Sequence, residues 1–399
     1  MKTMKRHAAG VLLALAVSTA PVAYAAPARA QAAAAATETL EQTVDRVAAD
    51  LIAKKETAGF AIGITQRGKA PLIKGYGFAN LEDRVPATGH TVFRVGSITK
   101  EFTAAAVLLL AEQGKLSIDD TLAKYFPSFP RANEVTLRQL LNHTSGIHNY
   151  TAIDGFLPTE SRLVLSDAGW ETYMAGAKPL YDFDPGTGWR YSNSGFLLLG
   201  MIVEKASGQK LAQALRSLLF DPLGLNDTRL DELAEIVPSR AQGYDKAPTS
   251  ATGFANTAPI AMEAASGAGA IRSTAGDLLK WHAALLDGKL LKPASLKLML
   301  EPGRLKDGKL ASSTRPSTGA AVSAPPSDYG FGISTSVQKG RRTVGHGGAI
   351  NGFNASLMTY PDQQVTIVIL ANTLPAAGAV SAAMTDPIFT AIGAPAKDK

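Results

Sequence analysis

Strand-like segments occupy the two ends of this chain, so its sheet can be completed only by pairing residues far apart in sequence. Near the N-terminus, Phe60 to Thr65 and Pro71 to Gly77 are short apolar stretches joined by Gln66-Arg67-Gly68-Lys69, which predicts a β-hairpin turning at Gly68. Near the C-terminus, Tyr329 to Val337 and Thr343 to Gly345 flank a turn at Lys339-Gly340. Gly352 to Tyr360 follows, and then the mostly apolar run Val365 to Leu370. From Ser97 to about Leu233 the pattern is mainly helical, punctuated by prolines from Pro127 to Pro222. The expectation is an α+β fold: an antiparallel sheet built from both chain ends, flanked by helices, with an inserted mainly helical domain at about 97–265.

Flanking elements are also legible. Thr37 to Lys55 places Leu40, Val44, Val47 and Leu51 at helical spacing, and a short helix is expected after Pro375. Ala247 to Ala264 and Pro302 to Pro326 are rich in small and turn-forming residues and read as long surface loops that could rim a cleft. The N-terminus differs in kind. Lys2, Lys5 and Arg6 precede the apolar stretch Ala8 to Val17, and small residues follow at Ala23-Tyr24-Ala25 and Ala28-Arg29-Ala30, the pattern of a secretory signal too short to span a bilayer comfortably. The expected organisation is a signal peptide at 1–25, an Ala-rich linker at 26–36 and one domain at 37–393, in a periplasmic or secreted protein with no integral membrane segment after cleavage.

The formal net charge is +6, and removal of Lys2, Lys5 and Arg6 with the signal leaves +3, so a nucleic-acid role loses its main support. The chain has no cysteine, which rules out a disulfide framework, a cysteine nucleophile and a thiolate metal site.

Ser97-Ile98-Thr99-Lys100 is the stretch that carries chemistry. Glu101 to Gln113 lacks Gly and Pro, is rich in Ala and Leu, and stops at Gly114, so it predicts a buried helix with Ser97 at its N-terminal turn. Residues three apart share a helix face, which brings the Lys100 amine to the Ser97 hydroxyl, and the unpaired N–H groups of the first turn favour negative charge beside Ser97. Lysine has a reference pKa of about 10.4, so a role as base near neutrality demands roughly 3 units of depression, about 4 kcal/mol, from burial or neighbouring charge. Taken alone, the same tetrad also describes an N-cap serine beside a solvated lysine.

Two further stretches bear on that choice. Trp189-Arg190-Tyr191-Ser192-Asn193-Ser194-Gly195 follows a Pro-Gly turn and precedes a second apolar helix beginning near Phe196. In it, Tyr191 could relay a proton between Ser97 and a leaving group, and Asn193 could hold a substrate carbonyl or fix the lysine. Gly345-His346-Gly347-Gly348-Ala349 lies between strand-like stretches; its glycines mark close approach of another backbone or a ligand, and His346 could hydrogen-bond to substrate or to Tyr191.

Three rival motifs are weaker. Gly63 to Ala70 matches a phosphate loop except for its final hydroxyl residue, and it precedes a strand where that loop needs a helix. His143 and His148, with Asp154 nearby, sit five apart in a turn-like stretch, which is not the spacing of a helical zinc pair. No GxSxG elbow occurs, which argues against an α/β-hydrolase.

Together, Ser97-x-x-Lys100, Tyr191-x-Asn193 and His346-x-Gly348 resemble, in order, the three motifs of the serine β-lactamase and penicillin-binding protein superfamily. The likeness is closest to the branch of class C β-lactamases, D,D-carboxypeptidases and related esterases. Phe93 to Gly96, Leu140 to Gly146, Ser273 to Asp277 and Tyr360 to Asp362 extend it over about residues 40 to 390. The resemblance implies Ser97 as acylated nucleophile, Lys100 as its base partner and Tyr191 as proton shuttle. It places Asn193 and His346-x-Gly348 along the substrate cleft, with the N–H groups of Ser97 and Ala349 as oxyanion hole and no metal or cofactor. The implied activity is hydrolysis of an ester or amide in a small-molecule or peptide substrate. A D,D-carboxypeptidase and an acylated sensor that never turns over are the alternatives. Two departures weigh against a D-alanyl-D-alanine terminus: Gly347 replaces a hydroxyl residue, and Ser334 stands where related carboxypeptidases carry a carboxylate-binding Arg. Arg341 and Arg342 could replace that cation, or form a solvated hairpin tip. With His346 in place of a permanent cation, acylation is expected to rise from about pH 6 to about pH 8.

Overall fold

The computed structural model describes residues 38–157, 159–314 and 327–394. The expected signal peptide and linker, and the end of the second loop stretch, lie outside the described residues. Eight strands form the main sheet: β1 (Gly59–Gln66), β2 (Leu72–Asn80), β3 (Val85–Pro86), β4 (Ser327–Tyr329), β5 (Ser334–Gln338), β6 (Arg341–Ile350), β7 (Phe353–Tyr360) and β8 (Val365–Ala371). Their order is β3-β2-β1-β8-β7-β6-β5-β4, antiparallel throughout. Both ends of the chain build it, and the seam between them is the β1–β8 pair, in register from Phe60 opposite Ala371 to Gln66 opposite Val365.

The central strands are covered on both faces, which explains their nearly continuous apolar runs. On one face Phe60, Ile62 and Ile64 of β1 and Val365, Ile367 and Ile369 of β8 pack against helix α1 (Leu40–Ala53) and a C-terminal helix running from Ala377 to Ala391. Thr39 caps α1 in a reciprocal pair with Gln42. On the other face Ala61, Val368 and Leu370 meet the larger helical core. That core is centred on α2 (Thr99–Glu112), whose residues are buried on nearly every side, as an all-round apolar helix requires. Against it pack α3 (Asn193–Ser207), α4 (Met262–Gly269) and α5 (Ala275–Leu286). The C-terminal helix is α6.

Four sequence expectations are corrected here. Tyr329 to Val337 is not one strand: it breaks between β4 and β5, where Gly332, at φ +69°, passes so close to α2 that a Cβ would lie 2.5 Å from the Lys100 carbonyl oxygen. The strand read as ending at Gly345 instead runs on through His346-Gly347-Gly348 to Ile350. The short helix after Pro375 has 15 residues and carries Pro387 inside it. Ala247 to Ala264 is only partly loop, since Phe254–Asn256 pairs with Tyr244–Lys246 and α4 begins at Met262. The phosphate-loop match falls at the hairpin turn between two antiparallel strands. Among the described residues no helix is long and apolar enough to cross a membrane.

Candidate active site

Ser97 sits in a single 3-10 turn, Gly96–Ile98, that leads into α2. The turn is pressed against β6, and glycines on both sides make the approach possible. A Cβ on Gly348 would lie 1.9 Å from the Val95 carbonyl oxygen and 3.1 Å from the Ser97 nitrogen, and one on Gly96 would lie 2.7 Å from the Ala349 nitrogen. The N–H of Ser97 belongs to a first helical turn, which offers it no helical acceptor. Strand β5 pairs with β6 only as far as Gly345, so the segment carrying Ala349 extends past the end of that neighbour.

Lys100 lies one turn further on and is fully buried. Its Nζ is 3.1 Å from Ser97 Oγ, 2.8 Å from Asn193 Oδ1 and 2.6 Å from the carbonyl oxygen of Ala268. The Asn193 amide is held in turn by its Nδ2–H donating to Thr151 Oγ1 at 3.1 Å, which fixes Oδ1 toward the lysine. Among the described residues no carboxylate pairs with Lys100, and its nearest rings are Tyr191, 4.9 Å away, and Phe196, 5.5 Å away. Burial alone therefore drives its pKa well below the ordinary lysine value. A neutral amine suits these partners: two N–H groups donate to Asn193 Oδ1 and Ala268 O, and the lone pair faces Ser97 Oγ.

Tyr191 is the reverse case. Burial raises its pKa, so the phenol stays protonated; its hydroxyl makes no hydrogen bond of ordinary geometry, although Ser97 is close enough to ease its ionisation. Its position is set by His143, whose carbonyl oxygen accepts from the Arg190 N–H at 3.1 Å and whose Nδ1 accepts from the Ser192 N–H at 3.3 Å. The His143 ring lies 4.4 Å from that of Tyr191 and 4.6 Å from that of Tyr329, in a left-handed backbone conformation at φ +64°. His148, the other half of the zinc reading, hydrogen-bonds Asp182 at 2.7 Å instead.

His346 does not reach Tyr191 by a hydrogen bond. Its Nδ1–H donates to the Gly347 carbonyl oxygen, and its Nε2 accepts from the Tyr329 hydroxyl at 2.9 Å. Burial, with Lys100 next in effect, lowers its pKa to about 4, so the ring is neutral at pH 7. Neither arginine of the β5–β6 turn lines the cavity before Ser97. Arg341 is buried over the Phe389 ring and paired with Asp386, which corrects the solvated-tip reading for that residue, while Arg342 is exposed and paired with Asp362.

A cavity of about 550 Å³ opens in front of Ser97, and Asn193 and Ala349 share its wall. Lys100 and His346 are buried and Tyr191 is half-buried with its hydroxyl covered, and all three lie outside its lining. The sequence reading missed the Ala268 carbonyl, the positioning role of His143 and the Tyr329–His346 bond. His143 and Tyr329 do fall in stretches singled out above, but a backbone carbonyl leaves no mark in a sequence.

A family model described as Beta-lactamase matches residues 44–386. The chain belongs to the beta-lactamase family. Similar members include Penicillin-binding protein 4* of Bacillus subtilis (strain 168), 30% identical over 309 residues, which cover 74% of this chain and 64% of that protein. Esterase EstB of Burkholderia gladioli is 32% identical over 202 residues, covering 47% of this chain and 51% of the esterase. The chain thus spans less than two thirds of the length of these two relatives. Among solved structures, the D-amino acid amidase of Ochrobactrum anthropi SV3 with bound D-phenylalanine superposes with a TM-score of 0.75 at 24% identity, covering 89% of this chain and 99% of the amidase. At that identity the likeness shows a shared fold, and this family's fold is the one described above.

Proposed function

We propose that this protein is an exported serine hydrolase that cleaves a small ester or amide through an acyl-Ser97 intermediate. The observation that carries the reading is the buried Lys100 amine, unpaired with any described carboxylate and 3.1 Å from Ser97 Oγ. In this reading Ser97 Oγ attacks the substrate carbonyl carbon as its proton passes to the neutral Lys100 amine. The developing oxyanion is met by the N–H groups of Ser97 and Ala349. Tyr191, a phenol at rest, hands a proton to the leaving group and recovers one from Lys100. Water then breaks the acyl-serine bond along the same proton path in reverse. No metal or cofactor has a part in these steps.

The third motif offers a neutral His346 and a hydroxyl-free Gly347, and Ser334 stands in place of an arginine, so a substrate carboxylate finds no cation there and no hydroxyl at position 347. This favours an ester or amide over a D,D-carboxypeptidase substrate. The relative named as an esterase supports the same choice. Export is supported by the basic, apolar and small-residue pattern of residues 1–30. Comparing a p-nitrophenyl ester, a chromogenic cephalosporin and a D-alanyl-D-alanine peptide, with Ser97→Ala as control, tests the reaction. Turnover of the ester that Ser97→Ala abolishes supports the reading. A burst without steady turnover on every substrate would replace it with the sensor. N-terminal sequencing of the mature chain tests export, with cleavage expected after Ala25 or Ala30.

A further inference from the structure

Among the described residues, Asp245 is the one charged side chain lining the cavity that holds Ser97. It lies on the short strand Tyr244–Lys246, between Phe254–Asn256 on one side and Thr373–Leu374 on the other. The rest of the wall is neutral and largely apolar, with Phe156, Leu157, Ile260 and Ile350 prominent. Thr257 Oγ1, itself on the cavity wall, donates to Asp245 Oδ1 at 3.2 Å and steadies the carboxylate. Among the described residues Asp245 has no ion-pair partner, although the neighbouring Lys246 is paired with Glu56.

A lone carboxylate in an apolar wall attracts a cation and repels an anion, and the contact strengthens as substrate displaces water. From this we propose that the cavity selects substrates carrying a protonated amine beside an apolar group, with Asp245 as the residue that receives the ammonium. The inference rests on the acyl-Ser97 reading and names the substrate class of that same site: amino-bearing acyl esters and amides, and not carboxylate-terminated peptides.

The test is a graded series of ω-aminoacyl p-nitrophenyl esters set against n-alkanoyl esters of the same chain lengths, with wild type and Asp245→Asn. Wild type is expected to prefer the amine over its alkyl counterpart at one or more lengths by about tenfold in kcat/KM, the size of a charge-assisted hydrogen bond. Asp245→Asn should lose that preference, its kcat/KM falling more on the aminoacyl series than on the alkanoyl series. Two results overturn the inference while the serine hydrolase stands: no amine preference in wild type at any length, or an equal fall on both series in Asp245→Asn. The first needs no variant to fold. If nothing is turned over and a fluorophosphonate leaves Ser97 unlabelled, the hydrolase reading falls and takes this inference with it.

Discussion

At the scale of single residues, Lys100 sets most of the expected behaviour. Replacing it by Ala removes the proposed base, and acylation by a p-nitrophenyl ester should fall by about 10²–10⁴. Lys100→Arg should not restore the rate, since a guanidinium stays charged at every working pH. Because burial depresses the folded-state pKa of Lys100, the active, deprotonated form gains with pH. Single-turnover acylation should therefore rise with pH; a flat profile would refute the lysine as base. His346 makes a separate prediction about stability. It remains neutral in the fold down to about pH 4, whereas the unfolded chain protonates it near its ordinary 6.5. Between those values the unfolded state binds more protons, so stability is lost as pH falls from 6.5 toward 4, by roughly 3 kcal/mol. His143, also held below its ordinary value by burial, adds loss in the same direction. Urea melts across this range should show the decline, and His346→Gln should remove part of its slope. Ser97, Lys100, Tyr191 and Asn193 were legible because motif spacing survives in one dimension. The partners that tune them were not, because Ala268 and Thr151 are close only in the fold.

At the scale of elements, β6 is where sequence rules gave way. Gly weakens strands, so His346-Gly347-Gly348 reads as an interruption. The structure keeps the strand because the 3-10 turn of Ser97 lies too near for side chains at Gly348, and β7 too near at Gly345, where a Cβ would meet the Leu357 carbonyl oxygen at 2.0 Å. Gly347 is different: a Cβ there would meet only the Ala355 carbonyl oxygen, at 3.7 Å. Gly347→Thr should thus fold with a Tm near wild type, and with Ser334→Arg it should gain activity toward carboxylate-terminated substrates. Gly348→Ala should cost about 1–3 kcal/mol in denaturant melts and most of kcat/KM, because β6 and the turn must separate. The same contest explains α6. Pro387 reads as an end, but Val380, Met384 and Ile388 keep a four-residue apolar spacing across it, and packing on the sheet holds the helix together.

At the scale of the molecule, the β1–β8 seam ties the first strands to the last. Trp170, Trp189 and Trp281 all lie outside the main sheet, so their fluorescence reports the helical part. If the molecule unfolds as one unit, Ile369→Ala in β8 should shift the fluorescence and far-ultraviolet transitions together, by about 2–4 kcal/mol; separated transitions would mean that the parts melt independently. The two-ended sheet was visible in the sequence because apolar strands at both termini have no other way to bury both faces. Strand order was not, since nothing local says which of them meet.

The Lys100 contact with Ala268 bears on how such a site changes over time. Ser266, two residues earlier, departs from helical geometry inside α4, at φ 31° and ψ −129°. An acceptor supplied by the main chain survives any single side-chain replacement at its own position. Half of the lysine's tether is thereby sheltered from point mutation, while side chains such as Phe156, Leu157 and Ile260 on the cavity wall are open to it. In the proposed reaction, new substrates can be acquired by altering that wall without rebuilding the base.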